Sequence, residues 1–192
     1  IAQKYKLFVI EDFAHTMSLP IQGDAAFFSF GRDKVLSSVW GGGAIINSNR
    51  KTQIEKLKKY QDQLPMPGYF WIFQQLLHPI MFAIILPTYN LGLGKVLLVV
   101  LQKLRLLSFP VYPEEKRGQK PSDFPAKYPN ALAALLLRQL SKLDRFTTER
   151  QKITKIYGGQ GVYLRFPMRV EDPDELRTRA KQEGILIGNW YH

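Results

Sequence analysis

From Gln63 to Gly94 the chain carries no Asp, Glu, Lys or Arg, and within that stretch stands YFWIFQQLLHPIMFAIILPTY. Pro79 and Pro87 bracket its most apolar piece, Ile80 to Leu86, while Gln74, Gln75 and His78 interrupt the run before it. A helix that crosses a bilayer needs about 20 apolar residues in a row. The pattern therefore predicts a helical hairpin, either buried or resting on a membrane surface, in place of a simple span. The next residues, KVLLVVLQKLRLL, set Lys95, Lys103 and Arg105 at the edges of an apolar stretch, a basic amphipathic pattern. Residues 63–108 read as an apolar helical insert, and 63–105 as the place of any peripheral membrane contact.

What flanks the insert is ordinary globular sequence. Hydrophobic residues make up 45% and charged residues 22% of 192, enough to bury a core. With no cysteine there is no disulfide framework, thiolate metal site or cysteine nucleophile. The formal charge of +11 divides into +3 over residues 1–94 and +8 over 95–192. No nucleic-acid recognition motif accompanies it, so nucleic acid is not the expected partner.

Short apolar runs at Lys6–Ile10, Ala25–Phe30 and Gly43–Ile46, each closed by turn or charged residues, predict strands. Their lack of clean alternation predicts an α/β sheet covered on both faces. Residues 50–62 read as a surface helix, the Pro-rich residues 109–129 as a loop, and Ala131 to Tyr157 as one helix with Asn130 as its cap. Val162 to Val170 reads as a strand, Asp172 as the cap of a further helix, and Ile185 to Ile187 as the start of another strand.

The chemistry gathers in the first 46 residues: Asp12 and His15 after one strand, Ser29 and Lys34 after the next, then Gly41-Gly42-Gly43. Ligands of open α/β sheets collect outside the carboxyl ends of strands. A carboxylate and an amine delivered there suit pyridoxal phosphate (PLP), the amine bonding to its aldehyde and the acid pairing with its pyridinium nitrogen.

At these residues the chain resembles the DegT/DnrJ/StrS family of PLP-dependent sugar aminotransferases. The resemblance rests on Glu11-Asp12-Phe13-Ala14-His15, on Gly23-Asp24 followed by Phe28-Ser29-Phe30 and Lys34, and on Gly42-Gly43. Ala133-Ala134, Gln139-Leu140, Leu143-Asp144, Arg150 and Tyr157 resemble a later helix of the family. It implies the C-terminal part of a fold-type-I α/β, PLP-binding large domain, with a mixed sheet and flanking helices, over residues 1–157. The start of a small α+β C-terminal domain follows over 158–192. It further implies Lys34 as the catalytic, cofactor-bonding lysine, Asp12 as the pyridinium partner, His15 beside the ring and Ser29 on the phosphate. Lys127 stands where the family carries an arginine that reaches the phosphate of the neighbouring subunit, and Trp190-Tyr191 match the small-domain wall of the pocket.

The implied activity is transfer of an amino group, glutamate being the donor, to a keto group of a nucleotide-linked sugar, in a cytoplasmic homodimer. Beside it stands a catalytically silent or regulatory relative, suggested by Pro125, Lys127 and a short loop after His15, with a membrane-associated role in envelope polysaccharide synthesis. The opening IAQKYKLFVIED runs almost at once into a predicted strand. We therefore expect a piece of a longer protein, inactive by itself.

Overall fold

The computed structural model describes residues 1–17, 19–109, 111–121 and 124–188. In chain order its elements are α1 (Ala2–Tyr5), β1 (Ile10–Phe13), β2 (Ala25–Ser29), β3 (Gly42–Ile46), α2 (Lys51–Gln63), α3 (Tyr69–Thr88), α4 (Leu93–Lys103), α5 (Pro113–Lys116), α6 (Asn130–Leu140), α7 (Leu143–Ile156) and α8 (Pro173–Gln182). The fold is mixed α/β. A three-stranded sheet in the order β1-β2-β3 pairs β1 with β2 in parallel and β2 with β3 antiparallel.

Register assigns the two faces. Glu11, Ala26 and Ile45 lie in one row and Phe13, Phe28 and Gly43 in another on the same face. This face carries the core, where Ala26, Phe28, Phe30, Val35 and Leu36 pack against Leu136 of α6 and Leu143 and Phe146 of α7. Phe13 meets Phe28 edge-on at 5.5 Å. The opposite face carries Ile10, Asp12 and Phe27, and there Ile10 and Phe27 are 59% and 46% exposed. The predicted cover on both faces is thus half realised: among the described residues, helices pack on one face only.

The parallel pair is joined by residues 14–24 without a helix, which is short for a crossover. Two carboxylates brace it. Glu11 Oε2 accepts from the backbone N–H groups of Gln22 and Gly23, each at 2.8 Å, and Asp24 Oδ2 accepts from Val9 N–H at 2.9 Å. Asp24 is also paired with Arg50. The Val9 bond first and the Arg50 partner second hold the Asp24 carboxyl below the usual range.

The uncharged stretch does not fold into a hairpin by itself: it supplies one helix, α3, which pairs with α4 of the following basic stretch in a largely exposed hairpin. Ile85, Leu101 and Leu107 form its own small core with Leu77, Met81 and Leu98. Gly94 is buried where the helices meet; a Cβ there would overlap the Ile85 carbonyl and the Tyr89 backbone. Pro79 and Pro87 do not divide α3, which runs unbroken through both. Pro79 removes the hydrogen bond to the Gln75 carbonyl, yet packing of Leu77, Met81 and Ile85 holds both halves of the helix. Near Pro87, the Thr88 hydroxyl donates to the Ile84 carbonyl at 2.8 Å. By length and composition α3 could cross a bilayer.

Other expectations shift. The first strand is Ile10–Phe13 and not Lys6–Ile10, because Lys6 takes a left-handed conformation (φ 51°) and ends α1. The single helix expected from Ala131 to Tyr157 breaks at Ser141-Lys142, where the Ser141 hydroxyl donates to the Arg138 carbonyl. The break lets Leu136 and Leu143 both reach the core. Asn130 is not the cap but the first residue of α6, which has no side-chain cap, Pro129 preceding it. Residues 162–170 and 185–187 are not strands; neither finds a strand to pair with among the described residues. Leu164 instead joins the core, and Phe166 stacks on Tyr157 at 5.3 Å. The α8 cap is as predicted: Asp172 Oδ1 accepts from Asp174 and Glu175 N–H, with Pro173 in the first turn.

Candidate active site

β1 and β2 run in parallel, so their carboxyl ends open on the same edge of the sheet. Asp12 lies opposite Phe27, and Ser29, two residues beyond Phe27, faces the same way. Asp12 and Ser29 therefore share the helix-free face, near the ends of adjacent strands. Ala14 N–H donates to Asp12 Oδ1 at 2.9 Å, a turn that fixes the exposed carboxylate.

Three residues past Asp12 the chain sets His15, and the loop after β2 brings Lys34 to it, with Nζ 2.9 Å from His15 Nε2. Both side chains are half-buried. Between Ser29 and Lys34 lies Gly31, where a Cβ would stand 3.6 Å from Ser29 Oγ and 3.7 Å from Lys34 Cγ. Hydroxyl and lysine stem thus flank one small gap. The structure brings His15, Ser29 and Lys34 together, with Asp12 on the same strand ends.

The loop holding Lys34 is fixed residue by residue. Arg32 donates to the carbonyl and hydroxyl of Ser108, and Ser108 Oγ donates to Gln75 Oε1 at 2.9 Å. Arg165 pairs with Asp33 at 2.9 Å. Arg150 donates to the Val35 carbonyl at 3.4 Å, and Leu36 is buried in the core. Burial lowers the pKa of both Arg32 and Arg150. Behind this network His78 stacks on Phe82 at 4.2 Å. Burial first, and the Arg32 charge second, lower its pKa to about 4.

Sequence reasoning missed Arg32, Gln75 and Ser108. The available signal was the polar trio Gln74, Gln75 and His78 inside an otherwise apolar run, since polar groups buried there require partners. It also missed Glu11 and Asp24 as braces of the strand crossover.

Lys127 lies apart from Lys34. Its backbone N–H donates to the Pro65 carbonyl at 2.9 Å, and it lines a cavity of about 370 Å³ with Trp40, Trp71, Phe124 and Gly42. Trp40 and Phe124 stack at 5.3 Å in its wall. The cavity reaches the sheet through Gly42, the strand partner of Ser29. Gly41 is required behind it: its φ is 120°, and a Cβ would overlap the ring of Tyr128. Tyr128 in turn donates to the buried Ser38 hydroxyl. A second cavity, about 520 Å³ at the end of α7, is lined by Gln151, Lys155 and Gly158 to Gly161, with no carboxylate, histidine or hydroxyl beside its one amine. Trp190 and Tyr191 lie outside the described residues.

An amine against an imidazole, a hydroxyl beside the amine stem and a fixed carboxylate on the neighbouring strand form a set that can bond a carbonyl, move protons and hold an anion. Comparison with protein-family models and with curated proteins finds no match to the chain.

Proposed function

We propose that the chain is the lysine-bearing part of a PLP-dependent aminotransferase of the DegT/DnrJ/StrS type, built on a fold-type-I large domain. Its substrate would be a keto group on a nucleotide-linked sugar, its amino donor glutamate, its working form a homodimer in the cytoplasm. One observation carries this reading: Lys34 Nζ sits 2.9 Å from His15 Nε2 at the strand ends that also present Ser29 and Asp12.

The residues fit the cofactor. Lys34 would supply the amine that bonds to the aldehyde, and His15, 2.9 Å from that amine, would hold it in place. Ser29 supplies a hydroxyl for the phosphate, at a gap kept open because residue 31 is glycine. Asp12 would pair its carboxylate with the pyridine nitrogen. When bound, pyridoxal phosphate supplies the electron sink that lets a proton leave the amine-bearing carbon. Lys34 is placed to take that proton and return it on the opposite side of the exchange. Pinning by Arg32, Asp33 and Val35 keeps its stem from wandering, and small misplacements of a reacting group cost large factors in rate.

The test is spectroscopic and chemical. The intact protein should bind pyridoxal phosphate with a visible absorption band that glutamate bleaches, and Lys34→Ala should abolish the band. An intact protein that binds no cofactor, or a band untouched by Lys34→Ala, would sink the reading.

A second reading keeps the fold without the reaction. It is favoured by Lys127, which replaces a planar guanidinium with a point charge and so loses two-pronged phosphate binding. Cofactor binding without bleaching by any amino donor would select it.

A further inference from the structure

We propose that the α3–α4 hairpin docks on the surface of an anionic bilayer, and that Arg32 ties this docking element to the loop that carries Lys34. The docking half of the proposal stands independently of the aminotransferase reading.

Exposure is the first observation. Thirteen large apolar side chains between Tyr69 and Leu104 are exposed, whereas Ile85 and Leu101 are the only large apolar side chains buried among the helical residues of the hairpin. Only 17% of the most apolar window of α3 is buried, so α3 is not the core helix of this chain. The exposed set includes Ile80, Ile84 and Leu86 on α3 and Leu93, Val96 and Val99 on α4. Apolar exposure this extensive on one helical hairpin marks an interaction surface.

Charge selects the occupant. Between Asp62 and Glu114 there is no carboxylate, while Lys95, Lys103 and Arg105 all lie exposed along α4 and just beyond it. Apolar side chains for the acyl boundary with cations at their margin match an anionic headgroup layer. A second copy of the chain fits less well. A twofold interface through this face would bring the same three cations near their equivalents with no acid in the segment to answer them. The length of α3, about 30 Å at 1.5 Å per residue, lets it lie along the surface.

The tie to the site is equally specific. Arg32 sits two residues before Lys34 and donates to Ser108, which follows α4, and Ser108 donates to Gln75, buried in α3. The guanidinium therefore ties the lysine loop to the hairpin directly at Ser108 and, through the Ser108 hydroxyl, to Gln75 of α3. Docking would fix the orientation of the Lys34 edge relative to the lipid.

Flotation of the chain with vesicles of phosphatidylglycerol and phosphatidylcholine tests the proposal. We expect co-flotation with mixed vesicles, weaker binding to phosphatidylcholine alone, and loss in high salt. Ile84→Glu and Val96→Glu should abolish it, and Ile153→Glu on α7, equally exposed, should leave it intact. Lys95→Gln with Lys103→Gln removes charge without touching the apolar face and should weaken partitioning roughly 30-fold. Far-UV circular dichroism accompanies each variant. No flotation, or flotation indifferent to lipid charge and to the paired lysine substitutions, would overturn the proposal. So would a lipid-indifferent dimer that Val96→Glu disperses, which would give the face to a second copy.

Discussion

Lys34 Nζ lies 2.9 Å from His15 Nε2, although β2 and most of the crossover separate them in sequence. The pair forms because parallel strands deliver their carboxyl ends to one edge and because the loop after β2 is anchored on three sides. If Arg32 is one of those anchors, its loss should be felt at Lys34. Arg32→Met removes two charge-assisted hydrogen bonds to Ser108 and should cost about 1–3 kcal/mol in urea denaturation. The same variant should loosen cofactor binding, which Arg32→Met with unchanged affinity would refute.

Acid should weaken the fold through His78. Its pKa in the folded chain is about 4, against 6.5 for an ordinary histidine, so the unfolded chain takes up the proton first. Stability is therefore complete above about pH 6.5 and falls progressively toward pH 4, with Arg32 the charge that faces the imidazole. Asp24, whose carboxyl is held low by Val9 N–H and Arg50, adds a further loss below the ordinary carboxylate range. His78→Phe keeps the stack on Phe82 and removes the proton. Melting temperatures from pH 7 to pH 4 should flatten in that variant.

Gly41→Ala should destabilise the chain by roughly 2 kcal/mol or more, since the residue combines φ 120° with a close approach to the Tyr128 ring. Gly118→Ala is the control: its φ is 69°, but nothing lies within 4 Å of its missing Cβ. It should cost only the backbone strain, about 1 kcal/mol. Equal losses in thermal melts would show that the Tyr128 contact is unimportant.

Much of this was legible in the sequence, and the failures have physical causes. Strands β2 and β3 announced themselves by apolar runs between turn residues, and the α8 cap by Asp172-Pro173. The positions of Asp12, His15, Ser29 and Lys34, at or just past strand ends, were legible by spacing. Pro79 misled because local backbone preference yields to packing when both halves of a helix have a partner. Residues 162–170 misled because alternation describes a surface, not a neighbour to bond with. Arg32 was invisible because its partner Ser108 is 76 residues away.

The other candidate residues separate by role. Asp12→Asn should leave the cofactor bound but slow the amino-donor half-reaction by about 100-fold or more, because the amide cannot hold the ring nitrogen protonated. Ser29→Ala should instead weaken the cofactor by roughly tenfold with little change in the rate at saturation. Stopped-flow bleaching by glutamate at varied cofactor concentration distinguishes the two. If both variants lose only affinity, the assignment of Asp12 is wrong.

The most direct measurement is the covalent address of the cofactor. The intact protein is incubated with pyridoxal phosphate, reduced with borohydride, digested and mapped by mass spectrometry. The pyridoxyl label should fall on Lys34, in the peptide that contains Asp33, and glutamate added before reduction should diminish it. A label spread over surface lysines, or one concentrated on Lys127 with Lys34 bare, would contradict the role given to Lys34.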